Sequence, residues 1–337
     1  MEKRKIVKSG LFSYTIVLPK DWIERHNLEK GSKVSILEQP EGLLITPEIK
    51  KIKQTTQKNE VVISIDNILP HSVVRNIIAA YLTNIRVVRI HGKEIKKNIG
   101  LYKKTISKLP GLEVIEETSD YIIFKDYINI EEIIIPDVLR RSDIILRSMF
   151  TDTLECLDSG DLELSETIRL RDQEVNRLSF LTYKCLNHIN DNPHEDKIHG
   201  IKQSLSPHIW EFNTYLEKIG DEIKRFAITI PKAKLSSKDK NTIKLILIDI
   251  EDFYKEIITS LYKSDISRAD KNSLLKRDNI INRCYNYLQK SDSRLGRNMA
   301  NRMIYMTTFI NSISRIVRFI SFEDHKIVKG NILIGNN

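Results

Sequence analysis

Residues 215–226 read YLEKIGDEIKRF. Leu216, Ile219, Ile223 and Phe226 recur every three or four positions, and with Phe212 they run along one side of a helix. Glu217 and Asp221 stand four residues apart and share another side, turned well away from the centre of that stripe. Such a face has two readings. One is the solvated acidic face of a bundle helix. The other is half of a metal site, because two carboxylates one turn apart hold a hard cation when a neighbouring helix completes its shell. Gly220 lies between them, where glycine costs a helix about 1 kcal/mol relative to Ala. It marks a close helix approach or room for a ligand.

The same periodicity fills the chain from Ile133 onward. Breaks at DSGD (158–161), NDNPHEDK (190–197), IPKAKLSSKDK (230–240), KSDISRADK (263–271) and KSDSRLG (290–296) delimit six helices of roughly 18 to 30 residues. Their short connections suit antiparallel bundle neighbours. The six form two sets of three. RDQEVNR (171–177) and RDNIINR (277–283) share Arg, Asp, Asn and Arg at identical spacing. Leu216, Ile219, Ile223 and Phe226 match Ile310, Ile313, Val317 and Ile320. An internal duplication explains both coincidences.

With these words in view, YLEKIGDEI resembles the Glu-Arg-Ile-Gly-Asp motif of the PhoU family of phosphate-uptake regulators. The likeness spans about 190 residues and implies an all-α bundle of two three-helix repeats, about 133–230 and 240–325. In that family, paired acids on two helices of each repeat bind iron- or zinc-type metal. Carried over, this implies a metal site at Asp172, Asn176, Glu217 and Asp221, with Asn176 standing where an acid is common. Asp278 and Asn282 repeat that departure, and Asn311 and Arg315 occupy the acidic positions of the last helix. A cation at Arg315 repels a metal, so the second site is expected to close with a salt bridge or to contact an anion.

Residues 1–47 have a different texture. KRKIVKSG and FSYTIVLP are β-rich, Pro19 ends the second run, and KDWIERHNL makes about two helical turns with Asn27 as a left-handed stop. LEKGSKVSIL and GLLITP are two further strands joined by EQPEG. A module this small has little core of its own, and a second copy would supply the rest. Lys8-Ser9-Gly10, Leu18-Pro19-Lys20 and Leu28-x-Lys30-Gly31-x-Lys33-Val34 resemble the SpoVT/AbrB-type swapped-hairpin domain over about 45 residues. That resemblance implies a β-barrel interleaved from two chains, commonly a DNA-binding unit. Joined to the helices behind it, it gives the chain the look of an archaeal-type PhoU regulator. Charge agrees with DNA. Of the formal net +9, residues 1–58 carry +5, from twelve Lys or Arg against seven Asp or Glu. Lys3, Arg4, Lys5 and Lys8 flank the first strand, and Lys20 and Arg25 sit at the helix, where they can meet phosphates. No cluster of Asn, Gln and Arg on a recognition helix points to base readout.

Residues 48–60 are polar and aperiodic and read as a linker. Residues 61–132 alternate strand, helix, strand, helix, strand, strand: VVISID, PHSVVRNIIAAYL, IRVVRIHG, KEIKKNIGLYKKTISKL ending at Pro110-Gly111, LEVIEET and DYIIFKDY. This predicts a small α+β sandwich without evident chemistry.

Other leads are weak. His194 and His199 are separated by five residues with no Cys nearby, which reads as surface histidines rather than zinc ligands. Trp22 and Trp210 read as packing residues. Cys156, Cys185 and Cys284 follow no CxxC spacing and read as buried cytosolic thiols. No P-loop and no GxSxG occurs. The charged start leads into no apolar signal region, and no apolar run approaches a membrane span.

The expectation is therefore a multidomain, cytoplasmic, homodimeric regulator, not an enzyme. Its partners are DNA, a second copy, and a phosphate transporter or its signalling proteins. A rival is an adaptor docking on such a transporter or on a sensor kinase, with the N-terminal domain only dimerising. A metal-dependent phosphohydrolase is disfavoured because no His or Lys is evident beside the acidic pair.

Overall fold

The computed structural model describes residues 3–39, 42–47, 60–192, 196–263 and 265–328. The chain divides into two compact units, 1–58 and 59–337.

In the first unit, β1 (Val7–Lys8) pairs antiparallel with β2 (Tyr14–Thr15), and β3 (Val34–Gln39) pairs with β4 (Gly42–Pro47). Between them lies α1 (Lys20–Arg25), opened after Pro19. The helix stops at Asn27, which takes the left-handed conformation at φ 49°. The strands are shorter at the start than the β-rich runs suggested, and Pro40 and Glu41 of the EQPEG turn and residues 48–59 of the expected linker lie outside the described residues. No described side chain of residues 3–47 is buried. Leu11 and Phe12 are 85% and 96% exposed, and Ile6, Tyr14 and Val17 are exposed as well.

The second unit has two hydrophobic cores. The first belongs to a four-stranded sheet in the order β5-β6-β8-β7. Its strands are β5 (Glu60–Ser64), β6 (Val87–His91), β7 (Leu112–Glu117) and β8 (Tyr121–Asp126). β5 and β6 are parallel and joined through α2 (Pro70–Leu82), a crossover that a two-residue turn cannot make. β8 runs antiparallel to both of its neighbours. α3 (Ile95–Ile106) precedes β7, and Gly111 in the connection adopts φ 68°. A Cβ there would come within 2.4 Å of the Ile128 side chain, so both conformation and space demand glycine.

The second core is a six-helix bundle: α4 (Ile135–Ser159), α5 (Leu162–Asp191), α6 (Ser206–Ala227), α7 (Ser237–Tyr262), α8 (Ile266–Lys290) and α9 (Arg294–Val328). Caps set the boundaries. The Asp161 carboxylate accepts from the Glu163 and Leu164 amides, and Ser236 accepts from the Asp239 amide. Leu216, Ile219, Ile223 and Phe226 are buried, as are Ile310, Ile313 and Val317, while Ile320 is partly buried against the same core. α6 and α9 thus bury the same face, as the duplicated pattern predicts.

A buried polar seam joins the two cores. The Lys184 ammonium on α5 donates to Tyr81 O at 3.0 Å and pairs with Asp126 Oδ2 at 2.7 Å. It also lies 4.5 Å from the Tyr81 ring centroid. Asn187 donates to Leu82 O and Arg177 to Ser107 O. Nothing in the sequence singled out Lys184, since a buried lysine and a surface lysine read alike.

Candidate functional site

Glu217 and Asp221 lie on α6, and Asp172 and Asn176 on α5, which packs beside it. Gly220 permits that packing. A Cβ there would stand 3.2 Å from Leu146 Cδ2 of α4 and 3.6 Å from Asp172 Oδ1. Close helix approach is therefore the reading that holds.

The four expected ligands share this region with a cation of the chain's own. Lys224 Nζ pairs with Asp172 Oδ2 at 2.6 Å and with Asp221 Oδ1. Arg225 covers the other oxygen of Asp221 at 2.9 Å and also binds Glu222. Asn176 donates to Asp172 Oδ2 at 3.3 Å. Two buried oxygens, Asp172 Oδ1 and Asn176 Oδ1, have no hydrogen-bond partner. Burial raises the Glu217 pKa above the ordinary glutamate range, and the charges of Asp221 and Asp172 raise it further. Burial likewise pushes Asp172 up, against the pull of Lys224. Burial lowers Lys224, but its bonds to Asp172 and Asp221 outweigh that and leave it raised.

Two unpartnered oxygens would suit a cation. The rest of the set does not fit a divalent metal centre as it stands. Among the described residues no three His, Cys, Asp or Glu side chains come together to hold a metal ion. An ammonium already bridges Asp172 and Asp221, and a divalent ion would have to displace it. Lys224 also corrects the expectation that no lysine stands beside the acidic pair. It lies three residues after Asp221 and seven after Glu217, on the same helical side, so its spacing carried the signal. Held protonated by two carboxylates, it serves as a charge partner and not as a base. Nor is the face simply solvated. Asp172 is buried, Glu217 and Asp221 are partly so, and Glu217 lines a cleft of about 380 Å3 shared with Val74, Ile78, Thr105 and Lys108.

The repeated words on α8 are not repeated geometry. Asp278 has a side chain 59% exposed and pairs with its neighbour Arg277, and Asn282 is exposed. The α8 residues sharing a pocket with Asn311 and Arg315 are Ser273 and Leu274.

The six N-terminal basic residues, Lys3, Arg4, Lys5, Lys8, Lys20 and Arg25, are all exposed. Lys20 makes a 3.5 Å surface pair with Glu24, which is worth little in water. His199 differs from its expectation as a surface histidine: it is buried, with Nδ1 2.9 Å from Ile133 O. His194 lies outside the described residues. Trp210 is 39% exposed and packs on Tyr183. The three cysteines are free and buried, and burial pushes Cys156 up to about 11 and Cys185 and Cys284 up to about 12, leaving thiols of low reactivity.

Comparison with known families defines both parts. Residues 141–230 match the PhoU domain model. Residues 13–53 match the model of MazE, the bacterial antitoxin of antidote-toxin recognition, placing the MazE/AbrB type at the N-terminus. The chain thus combines two regulatory domain types. Among solved structures it is similar to PhoU from Pseudomonas aeruginosa, with 17% identity and a TM-score of 0.42 over 58% of this chain and 96% of that one. No curated protein matches. The PhoU domain implies regulation of phosphate homeostasis, and the N-terminal domain suggests DNA binding.

Proposed function

We propose that this chain is a cytoplasmic, homodimeric, DNA-binding regulator of phosphate uptake. Its N-terminal segments pair to contact DNA, and its bundle responds to a phosphate-linked signal or to a partner from phosphate transport. One observation carries the reading. A segment that matches the MazE/AbrB type over residues 13–53, with eight exposed cations from Lys3 to Lys33 and no buried described side chain, is covalently joined to a PhoU domain. Exposed Leu11, Phe12 and Val17 give that segment no interior of its own, and a second copy supplies one. Its cations meet phosphates without reading bases. Signal transfer requires the bundle's ligand or partner to favour one of two arrangements of the DNA-binding ends.

No helix among the described residues is long and apolar enough to cross a membrane, which agrees with this reading. The chain has no catalytic role in it. Metal-dependent phosphate release abolished by Glu217→Ala would overturn that part.

Genome-wide DNA occupancy in phosphate-rich and phosphate-starved cells, beside a variant lacking residues 1–47, is the test. The expected result is discrete sites that shift with phosphate and vanish on truncation. Absence of enrichment in both conditions overturns DNA regulation in favour of an adaptor docked on a transporter or sensor kinase.

For the acidic cluster, we propose that Lys224 serves as the resident cation in place of metal. Elemental analysis of the protein purified from metal-replete medium is expected to find less than about a tenth of an equivalent of iron or zinc. Near-stoichiometric metal, stripped by Glu217→Gln with Asp221→Asn, would restore the metal site.

A further inference from the structure

The duplication sets Arg315 of the second repeat where the first has Asp221, and Asn311 where the first has Glu217. Aligning the apolar stripes of α6 and α9 sets Asn311, Ser314, Arg315 and Arg318 against Glu217, Gly220, Asp221 and Lys224. The first repeat therefore holds an acidic cluster with its own ammonium. The second holds two guanidinium groups and a carboxamide.

These four residues line a pocket of about 510 Å3 together with Ser273 and Phe319. Asn311 is the most buried of these lining residues. It is only 4% exposed, and its Oδ1 has no hydrogen-bond partner, a condition that costs a folded protein free energy unless a ligand or water relieves it. Ser314 donates its hydroxyl to the Asn311 backbone carbonyl, and Ser273 in the same lining is buried. Arg315 is exposed, and among the described residues no carboxylate pairs with it. The Phe319 ring stacks on His208 at 4.5 Å, giving one wall a flat apolar surface.

A guanidinium fork matches the oxygens of an oxyanion. A carboxamide presents an acceptor or, turned over, a donor. Sulfate offers only acceptors. A hydrogen-phosphate group offers acceptors and one O–H donor, which the unpartnered Asn311 oxygen can accept. We propose that this pocket binds a phosphate-class oxyanion, either inorganic phosphate or the phosphoryl end of a small monoester. Arg315 forms the ion pair and Asn311 is the inner contact. The site deepens the phosphate-linked role proposed above, and its meaning rests on that reading. Its test uses no DNA, so failure of either is visible without the other.

The experiment is calorimetric titration of the full chain, in chloride buffer, with inorganic phosphate, sulfate and ribose 5-phosphate. The expected result is saturable phosphate binding with one site per chain. Arg315→Gln weakens it about tenfold or more, with helicity unchanged because the side chain is exposed, and Asn311→Leu also weakens it. Lys218→Gln removes the same charge elsewhere on α6 and leaves it unchanged. Tighter binding of ribose 5-phosphate assigns the pocket to monoesters, and equal or weaker binding assigns it to the free anion. No saturable phosphate binding, or equal losses in Arg315→Gln and Lys218→Gln, overturns the site. Sulfate binding as tightly as phosphate overturns the role of Asn311.

Discussion

Burial and the charges of Asp221 and Asp172 raise Glu217 above the ordinary glutamate range. Its folded form therefore holds a proton more tightly than its unfolded form. The stability this group contributes is fully present below the unfolded value of about 4.3. It is lost as pH rises through the higher folded value. Glu217→Gln removes the ionisation, so its melting temperature relative to the parent is expected to rise between pH 4 and 7 and then level off. A variant that melts at or below the parent across that range would show that the carboxylate is stabilised, not strained. Lys224 shows the same sign of pH dependence at a higher pH, but there it is the charged form that the fold favours. Its raised value adds stability below the unfolded pKa of about 10.4, lost as pH climbs through the folded one. Lys224→Met leaves the buried Asp172 carboxylate without its cation and is expected to cost about 1–3 kcal/mol in urea unfolding, with part recovered by Asp172→Asn. At this scale the four polar residues were plain in the sequence, and their partner was legible only from its spacing. The carboxylates stood out against an apolar stripe, whereas Lys224 is one lysine among many in a lysine-rich chain.

Helices were the most legible elements, because a bundle helix must repeat its apolar positions wherever it faces the core. α2 spans Pro70–Leu82, the run expected from its pattern and its opening proline. What periodicity hides is how elements dock. Recurrence of RDQEVNR and RDNIINR suggested equivalent places, yet Asp172 is buried and Asp278 exposed. Identity of words fixes neither helix rotation nor register against a neighbour. The Lys184–Asp126 pair between α5 and β8 was equally invisible, although burial pulls Lys184 down and Asp126, the Tyr81 carbonyl and the Tyr81 ring keep an ammonium tolerable there. Lys184→Met alone is expected to lower stability by about 3–5 kcal/mol, and Lys184→Met with Asp126→Leu to recover most of it. Denaturant unfolding of the single and double variants provides the measurement. Equal losses in both would mean that packing, not charge pairing, sets the seam.

At the scale of the whole chain, two domain types are joined, and the proposed division of tasks between them agrees with their charge. The +5 of residues 1–58 predicts DNA affinity that falls with salt. Neutralising Lys3, Lys5 and Lys8 together is expected to make the dependence of log affinity on log salt shallower, by roughly one for each DNA phosphate those lysines neutralise. A filter-binding series at several salt concentrations reads it directly, and an unchanged slope would remove these lysines from the interface. The unburied first unit has a further consequence. If a second copy completes its interior, as proposed, the segment orders by a bimolecular step, and its melting transition is expected to move with protein concentration while that of the six-helix bundle does not. Twofold dilution then thins the DNA-binding form more than twofold once the chain is scarce. The number of copies in a cell becomes an input in its own right, setting a threshold of abundance below which the bundle has no competent DNA-binding end to govern.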